Sequence, residues 1–411
     1  LTRAFLGALD RSSAAARLSL SVLGLRNTSR RQGRSLATVA LLACGSFLVV
    51  AVGANRKDPA KDAERRSSGT GGFALIGEST IPVYHDLNSQ AGREAFGLGA
   101  DSLRQVEVVQ FRVREGDDAS CLNLNRAQTP RLLGVDPEEL RKRGAFGFVK
   151  TLDGNLKGSR WDLLELGAQA ETAAVPAIGD QSTVTWGLEK KIGDFLPYVD
   201  GRGETFYLQL VGIIGGSVLQ GNLLIAEASF VKRFPLENGY RAFLVDAPKA
   251  RAAAVSKTLS EALVDIGMSL TPTPERLAEF HTVENTYLSI FAILGGLGLL
   301  LGSLGLGAVV LRNVLERRQE LALLRAVGFR RGTLQWLVFG EHALLLALGL
   351  LVGVVAAIIA VLPALRSPGA EVPVAALSAT LLGVVVSGVF WTWLATAFSV
   401  GGPLARALRN E

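Results

Sequence analysis

The chain has 411 residues, of which 49% are hydrophobic and 19% charged, with a formal net charge of +6. A soluble globule carries nearer a quarter of charged residues, so this balance points to a membrane protein. The basic excess lies beside apolar runs and comes with no zinc, helix-turn-helix or aromatic-basic motif, which argues against nucleic acid as a partner.

Residues Leu1–Arg34 are basic, with Arg26, Arg30, Arg31 and Arg34 ahead of the first apolar run. Leu18, Leu20, Val22, Leu23 and Leu25 alternate with polar residues, as expected for a helix lying on a membrane surface. The chain begins on Leu1 and not on Met, so it is expected to be either processed or, the favoured reading, part of something longer. Ser35–Ala54 carries no charge. A run of about 20 apolar residues crosses a core of about 30 Å, so this is the first expected span. A signal peptide cleaved after Val52-Gly53-Ala54 is the competing reading, and the long basic lead-in argues against it.

Asn55–Gly72 is charged and then rich in Gly and Ser, which marks a loop. The water-exposed domain is expected over residues 55–283. Val106–Arg114, Thr205–Ile214, Asn222–Ala228 and Ala242–Asp246 have the composition of strands. Ala252–Ile266 places Val255, Leu259, Leu263 and Ile266 on one helical face, and Gly267 ends it.

Thr286–Leu311, again without charge, is the second expected span. Gly295, Gly298 and Gly302 are its candidate helix-packing positions, because small residues four apart let helices approach closely. The third span is expected at Leu334–Leu365, with Glu341 and His342 near enough to its start to reach the headgroups. Pro363 and Pro368 mark a short outer turn. The fourth is expected at Val372–Val400, with Trp391 and Trp393 in an interfacial belt. A basic tail, residues 401–411, follows. The expected fold class is therefore a membrane α-helical chain of four transmembrane helices with a large inserted α+β extracytoplasmic domain. Arginine placement puts both termini and the Arg312–Arg331 loop in the cytoplasm.

Little in the chain points to catalysis. Cys44 and Cys121 would lie in different phases, so no disulfide joins them. His85, His281 and His342 are scattered, and neither a metal nor a cofactor is expected. No GxxxxGK[ST], GxSxG or HExxH pattern occurs, so any ATP must be bound by another chain. Asp117-Asp118 and Glu138-Glu139 are expected to be surface charge.

The loop after the second span (residues 312–332) carries the functional signal. Leu315, Leu321, Leu324 and Val327 can share a helical stripe, and Gly328 ends that helix. A short amphipathic helix on the cytoplasmic side suits docking into a groove of a soluble partner; anchoring to lipid headgroups is the alternative. The stretch ERRQELALLRAVGFRRGTLQWLVFGE, Glu316–Glu341, resembles the cytoplasmic loop of the FtsX/MacB-type permease family. So does the order of one span, a large outer domain and three further spans, the outer part being a MacB-like periplasmic domain. The resemblance implies an inner-membrane subunit that pairs with a second permease half, identical or fused, over a cytoplasmic ABC ATPase. It implies a coupling helix in which Glu316, Arg317, Arg318, Glu320, Leu321, Leu324, Arg325, Gly328, Arg330 and Arg331 meet that ATPase. It also implies contact with membrane lipids and with an extracytoplasmic protein or lipoprotein. Export of lipoproteins, lipids, peptides or drugs is the implied work. The alternative is a non-transporting regulator whose outer domain controls a cell-wall hydrolase.

Overall fold

The computed structural model describes residues 32–55, 63–99, 103–117, 119, 128–153, 158–166, 174–316, 318–365 and 374–399. The lead-in helix up to residue 31, Cys121, Asp118, Arg317, the turn at Pro368 and the tail lie outside these. In chain order the elements begin with helix α1 (Gln32–Asn55), strand β1 (Leu75–Val83), α2 (Gln90–Ala95), β2 (Glu107–Arg114), β3 (Arg131–Val135) and α3 (Pro137–Arg143). There follow β4 (Phe148–Thr151), β5 (Val175–Asp180), β6 (Phe195–Val199), β7 (Thr205–Ile214), β8 (Asn222–Ala226), α4 (Glu227–Arg233), β9 (Tyr240–Asp246) and α5 (Ala252–Ala262). The last are β10 (Ser269–Pro272), α6 (Thr273–Glu316), α7 (Arg318–Ala326), α8 (Arg331–Leu365) and α9 (Val374–Ser399). The chain divides into two units: residues 57–283 form the larger, and the flanking helices form the other.

The larger unit is built on a ten-stranded mixed sheet of order β10-β1-β9-β2-β3-β8-β5-β7-β4, with β6 also on β7. β2 meets β9 antiparallel, with Val109 opposite Leu244. β3 runs parallel to β8, and β5 parallel to β7. β7 is long enough to carry both β6 and β4, on its first and second halves. Period-two alternation sends successive side chains to opposite faces. One face buries Phe73, Phe111, Trp161 and Leu244; another cluster holds Leu208, Leu223, Phe230 and Phe234. A third packs Val255, Leu259 and Leu263 against Leu75 and Val245. The Trp161 indole N–H donates to the Ala145 carbonyl at 2.9 Å, so its polar edge is satisfied in the core. The helix expected over Ala252–Ile266 ends sooner: α5 stops at Ala262, a 3₁₀ turn covers Val264–Ile266, and Gly267 closes it at φ 68°.

Two polar features fix this unit. Asp180, at the end of β5, is fully buried. It accepts hydrogen bonds from Ser182 N (2.8 Å), Ser217 N (2.6 Å) and Ser217 Oγ (2.9 Å). Burial pushes its carboxyl well above the usual range. The second feature is where α6 begins. β10 pairs with β1 and runs directly into α6. The Thr273 hydroxyl donates to the Phe73 carbonyl, and its N–H to the Ala74 carbonyl at 3.0 Å. Leu277 and Phe280, in the first turns of α6, are buried at 6% and 5% exposure.

The carboxylates of α3 part company. Asp136 caps the helix by accepting from Glu138 N, and Gly144 ends it at φ 61°. Glu138 pairs with Arg141 and with Lys142 at 3.5 Å, as surface charge does. Glu139 corrects the expectation: it is half-buried, and burial, then the Asp136 and Asp86 carboxylates, raise its pKa to about 7. A raised folded pKa means a contribution present below the unfolded value of 4.5 and lost as pH climbs through about 7. After discounting for partial exposure this amounts to about 1–2 kcal/mol. Glu139→Gln is therefore expected to flatten the dependence of the melting temperature on pH between those values. Equal slopes for variant and wild type would show that Glu139 does not titrate there.

In the helical unit, α6 and α8 are long and apolar enough to cross a membrane by length and composition; α1 and α9 hold the shorter apolar stretches Val39–Ala54 and Leu381–Trp391. The α1 and α9 helices themselves have 24 and 26 residues, lengths that reach about 36–39 Å. Leu334, Val338, His342, Leu345, Leu346, Ala357 and Val361 form the buried stripe of α8. Glu341 and His342 belong on that stripe, at 6% and 1% exposure. Their spacing from Leu334 and Val338 dictates this, because residues three, four and seven apart share a helix face. His342 Nδ1 lies 2.9 Å from the Val338 carbonyl.

The closest helix approach comes at glycines the sequence reading left aside. A Cβ at Gly349 would stand 2.7 Å from Leu42 Cβ and 3.2 Å from the Val39 carbonyl. One at Gly353 would overlap Ser46 Oγ and stand 2.5 Å from the Ala43 carbonyl. The pair is spaced Gly-x-x-x-Gly and lets α8 lie directly on α1. Of the positions expected on α6, a Cβ at Gly295 would stand 3.2 Å from Val49 Cγ2 and one at Gly302 3.8 Å from Leu42 Cδ2, while one at Gly298 would meet none of the described residues within 4 Å.

Candidate coupling segment

The segment between α6 and α8 is a helix with two dissimilar sides. α6 ends on an exposed ion pair, Arg312 Nε to Glu316 Oε1 at 2.9 Å. Arg318 opens α7, and Ala326 closes it. Leu321 and Ala322 are buried at 7% and 6%. Leu321 joins Val314, Leu334 and Val338 in one apolar cluster, against which Leu324 also packs. Arg325 is half-buried, and Glu320 is exposed. Leu323 and Val327, at 64% and 74% exposure, face outward.

The end of α7 is a Schellman motif. Phe329 N donates to the Leu324 carbonyl at 3.1 Å and Gly328 N to the Arg325 carbonyl at 3.1 Å. Gly328 takes φ 111°, which a side chain would oppose. Arg330 is exposed, and Arg331 starts α8.

The single stripe expected of Leu315, Leu321, Leu324 and Val327 is thus divided. Leu321 and Leu324 turn inward, whereas Leu315 (56%) and Val327 (74%) are exposed. Leu315 belongs to α6, so the passage to α7 resets its helical phase. Val327 is the cap residue beyond the last turn. The outward stripe that replaces it is Glu320, Leu323 and Val327, at i, i+3 and i+7. Leu323 was not among the expected contacts, although its spacing from Glu320 and Val327 was readable. Among the described residues no group of three or more His, Cys, Asp or Glu could hold a metal ion.

Apolar helices on both sides of a large mixed α/β insertion define a multi-pass membrane protein. Residues 292–403, from the middle of α6 through α9, match the FtsX-like permease C-terminal family. The likeness to FtsX-like permeases is confined to that segment. No curated protein sequence matches the chain. Among solved structures, the periplasmic region of MacB from Actinobacillus actinomycetemcomitans is similar over 56% of this chain and 99% of its own, with 13% identity and a TM-score of 0.27.

Proposed function

We propose that this chain is the membrane subunit of an ATP-driven machine, with α7 as the element that a cytoplasmic ATPase subunit grips. The observation that carries the reading is the two-sidedness of α7. Its inner face is fixed among the membrane helices through Leu321. Its outer face offers Leu323 and Val327 beside Glu320. An apolar stripe with a flanking charge is how a short helix seats in a partner's groove. Arginines at positions 318, 325, 330 and 331 of the sequence support a cytoplasmic side for this segment and for the termini, and with it an extracytoplasmic inserted domain. Arg317 shares that assignment on sequence grounds.

α6 supplies a route for the motion. Its first turns belong to the core of the inserted domain, and the same uninterrupted helix continues through the apolar segment. A push on α7 reaches α6 through the apolar cluster that holds both Leu321 and Val314. The machine is completed by a second permease half, identical or fused, and by lipids. Its work is the extrusion or export of a lipoprotein, lipid, peptide or drug, or control of an extracytoplasmic partner.

The test is a double variant, Glu320→Arg with Leu323→Asp, in the full chain purified from native membranes. Central anchors of such contacts are worth about 2 kcal/mol each or more. ATP hydrolysis co-purifying with the chain is expected to fall at least about tenfold, and the melting temperature of the same preparation separates lost docking from lost folding. Undiminished co-purification would remove α7 from the contact.

A further inference from the structure

One face of the inserted domain's sheet holds a cavity of about 330 Å³. This lies at the lower end of the range of roughly 300–1,000 Å³ for small-molecule sites. Its floor is apolar: Phe111, Leu133, Leu244 and Phe280 line it, none more than 5% exposed. Glu78, Glu115, Arg131 and Arg276 add charge to the lining.

Those charges are already in ion pairs, although Arg131 Nε, like one group described below, makes no hydrogen bond. Arg131 pairs with Glu78 at 2.6 Å and with Glu115 at 3.3 Å. Glu115 also pairs with Arg241 at 2.9 Å, and Arg276 with Glu279 at 2.6 Å. An ionic ligand of either sign would have to break one of these pairs or remain unmatched beside an apolar floor, and both are costly.

Gln220 is different. It lines the same cavity, is 4% exposed, and its Nε2 has no hydrogen-bond partner. Buried N–H groups without an acceptor are rare in folded proteins and expensive to keep.

We propose that this cavity binds an uncharged molecule that lays an apolar group on the Phe111–Leu244 floor and presents a carbonyl oxygen to Gln220. The inference stands apart from the coupling role and does not depend on it.

Three probes of one shape and different charge test it: N-acetyl-leucinamide (neutral), N-acetyl-leucine (anionic) and leucinamide (cationic). Binding to the detergent-solubilised full chain is read by ligand-observed NMR. For a molecule this small, affinity on the order of millimolar is expected. The neutral probe should bind best. Gln220→Leu should weaken it about tenfold and melt no lower than wild type, because it removes an unpartnered donor. Should that variant fail to fold, Ile76→Trp, which fills the cavity from a half-buried edge, decides, and should abolish binding. The proposal is overturned if the neutral probe does not bind, if its binding survives the variants, or if either charged analogue binds as tightly.

Discussion

Gly353→Ala is expected to lower the stability of the helical unit by about 1–3 kcal/mol, the usual cost of overpacking a close contact. The new methyl would overlap Ser46 Oγ and lie 2.5 Å from the Ala43 carbonyl oxygen. Ser46 could rotate, at the loss of its own hydrogen bond to the Leu42 carbonyl at 2.8 Å. The Ala43 carbonyl is helix backbone and cannot, so α1 and α8 must separate. Gly298→Ala is the control, because a Cβ there meets none of the described residues within 4 Å. It should change stability by less than about 0.5 kcal/mol. Chemical or thermal unfolding of the two variants in the same detergent makes the comparison. Equal losses would mean that the α1–α8 contact is not held by its glycines.

Asp180→Ala should destabilise the inserted domain by roughly 3–5 kcal/mol. Three donors, Ser182 N, Ser217 N and Ser217 Oγ, would lose their acceptor at a fully buried position. Each unsatisfied group costs about 1–3 kcal/mol, and local relaxation recovers part. Asp180→Asn keeps one acceptor oxygen and should fall between Ala and wild type. That ordering in denaturant midpoints is the readout; an alanine variant as stable as wild type would mean that water satisfies the Ser182–Ser217 donors.

How much was legible follows from what each signal measures. Alternation in EVVQFRVR and TFYLQLVGII marks strands because a pleated strand turns every second side chain to the same face. The apolar runs mark α6 and α8 because length and charge alone decide what a bilayer accepts. The misses all concern what covers a face. Glu139 is written next to Glu138, and burial, with the Asp136 and Asp86 carboxylates beside it, sets it apart. Gly349 and Gly353 carry the same small-residue spacing as Gly298 and Gly302, and local spacing cannot tell which pair a neighbouring helix will meet. At α7, Gly328 as a stop was readable from residue type, but the inward turn of Leu321 and Leu324 depends on Val314 and Leu334, which belong to other helices.

The hydrogen bonds that join Thr273 to Phe73 and Ala74 also bear on how such a chain can diversify. The beginning and the end of the insertion are thereby tied to each other, so the roughly two hundred residues between them close on their own core. Such an insertion can be exchanged as a block, because its ends already meet and the helices on either side take their lengths from other parts of the sequence. Selection can therefore rewrite the insertion while the flanking helices stay as they were.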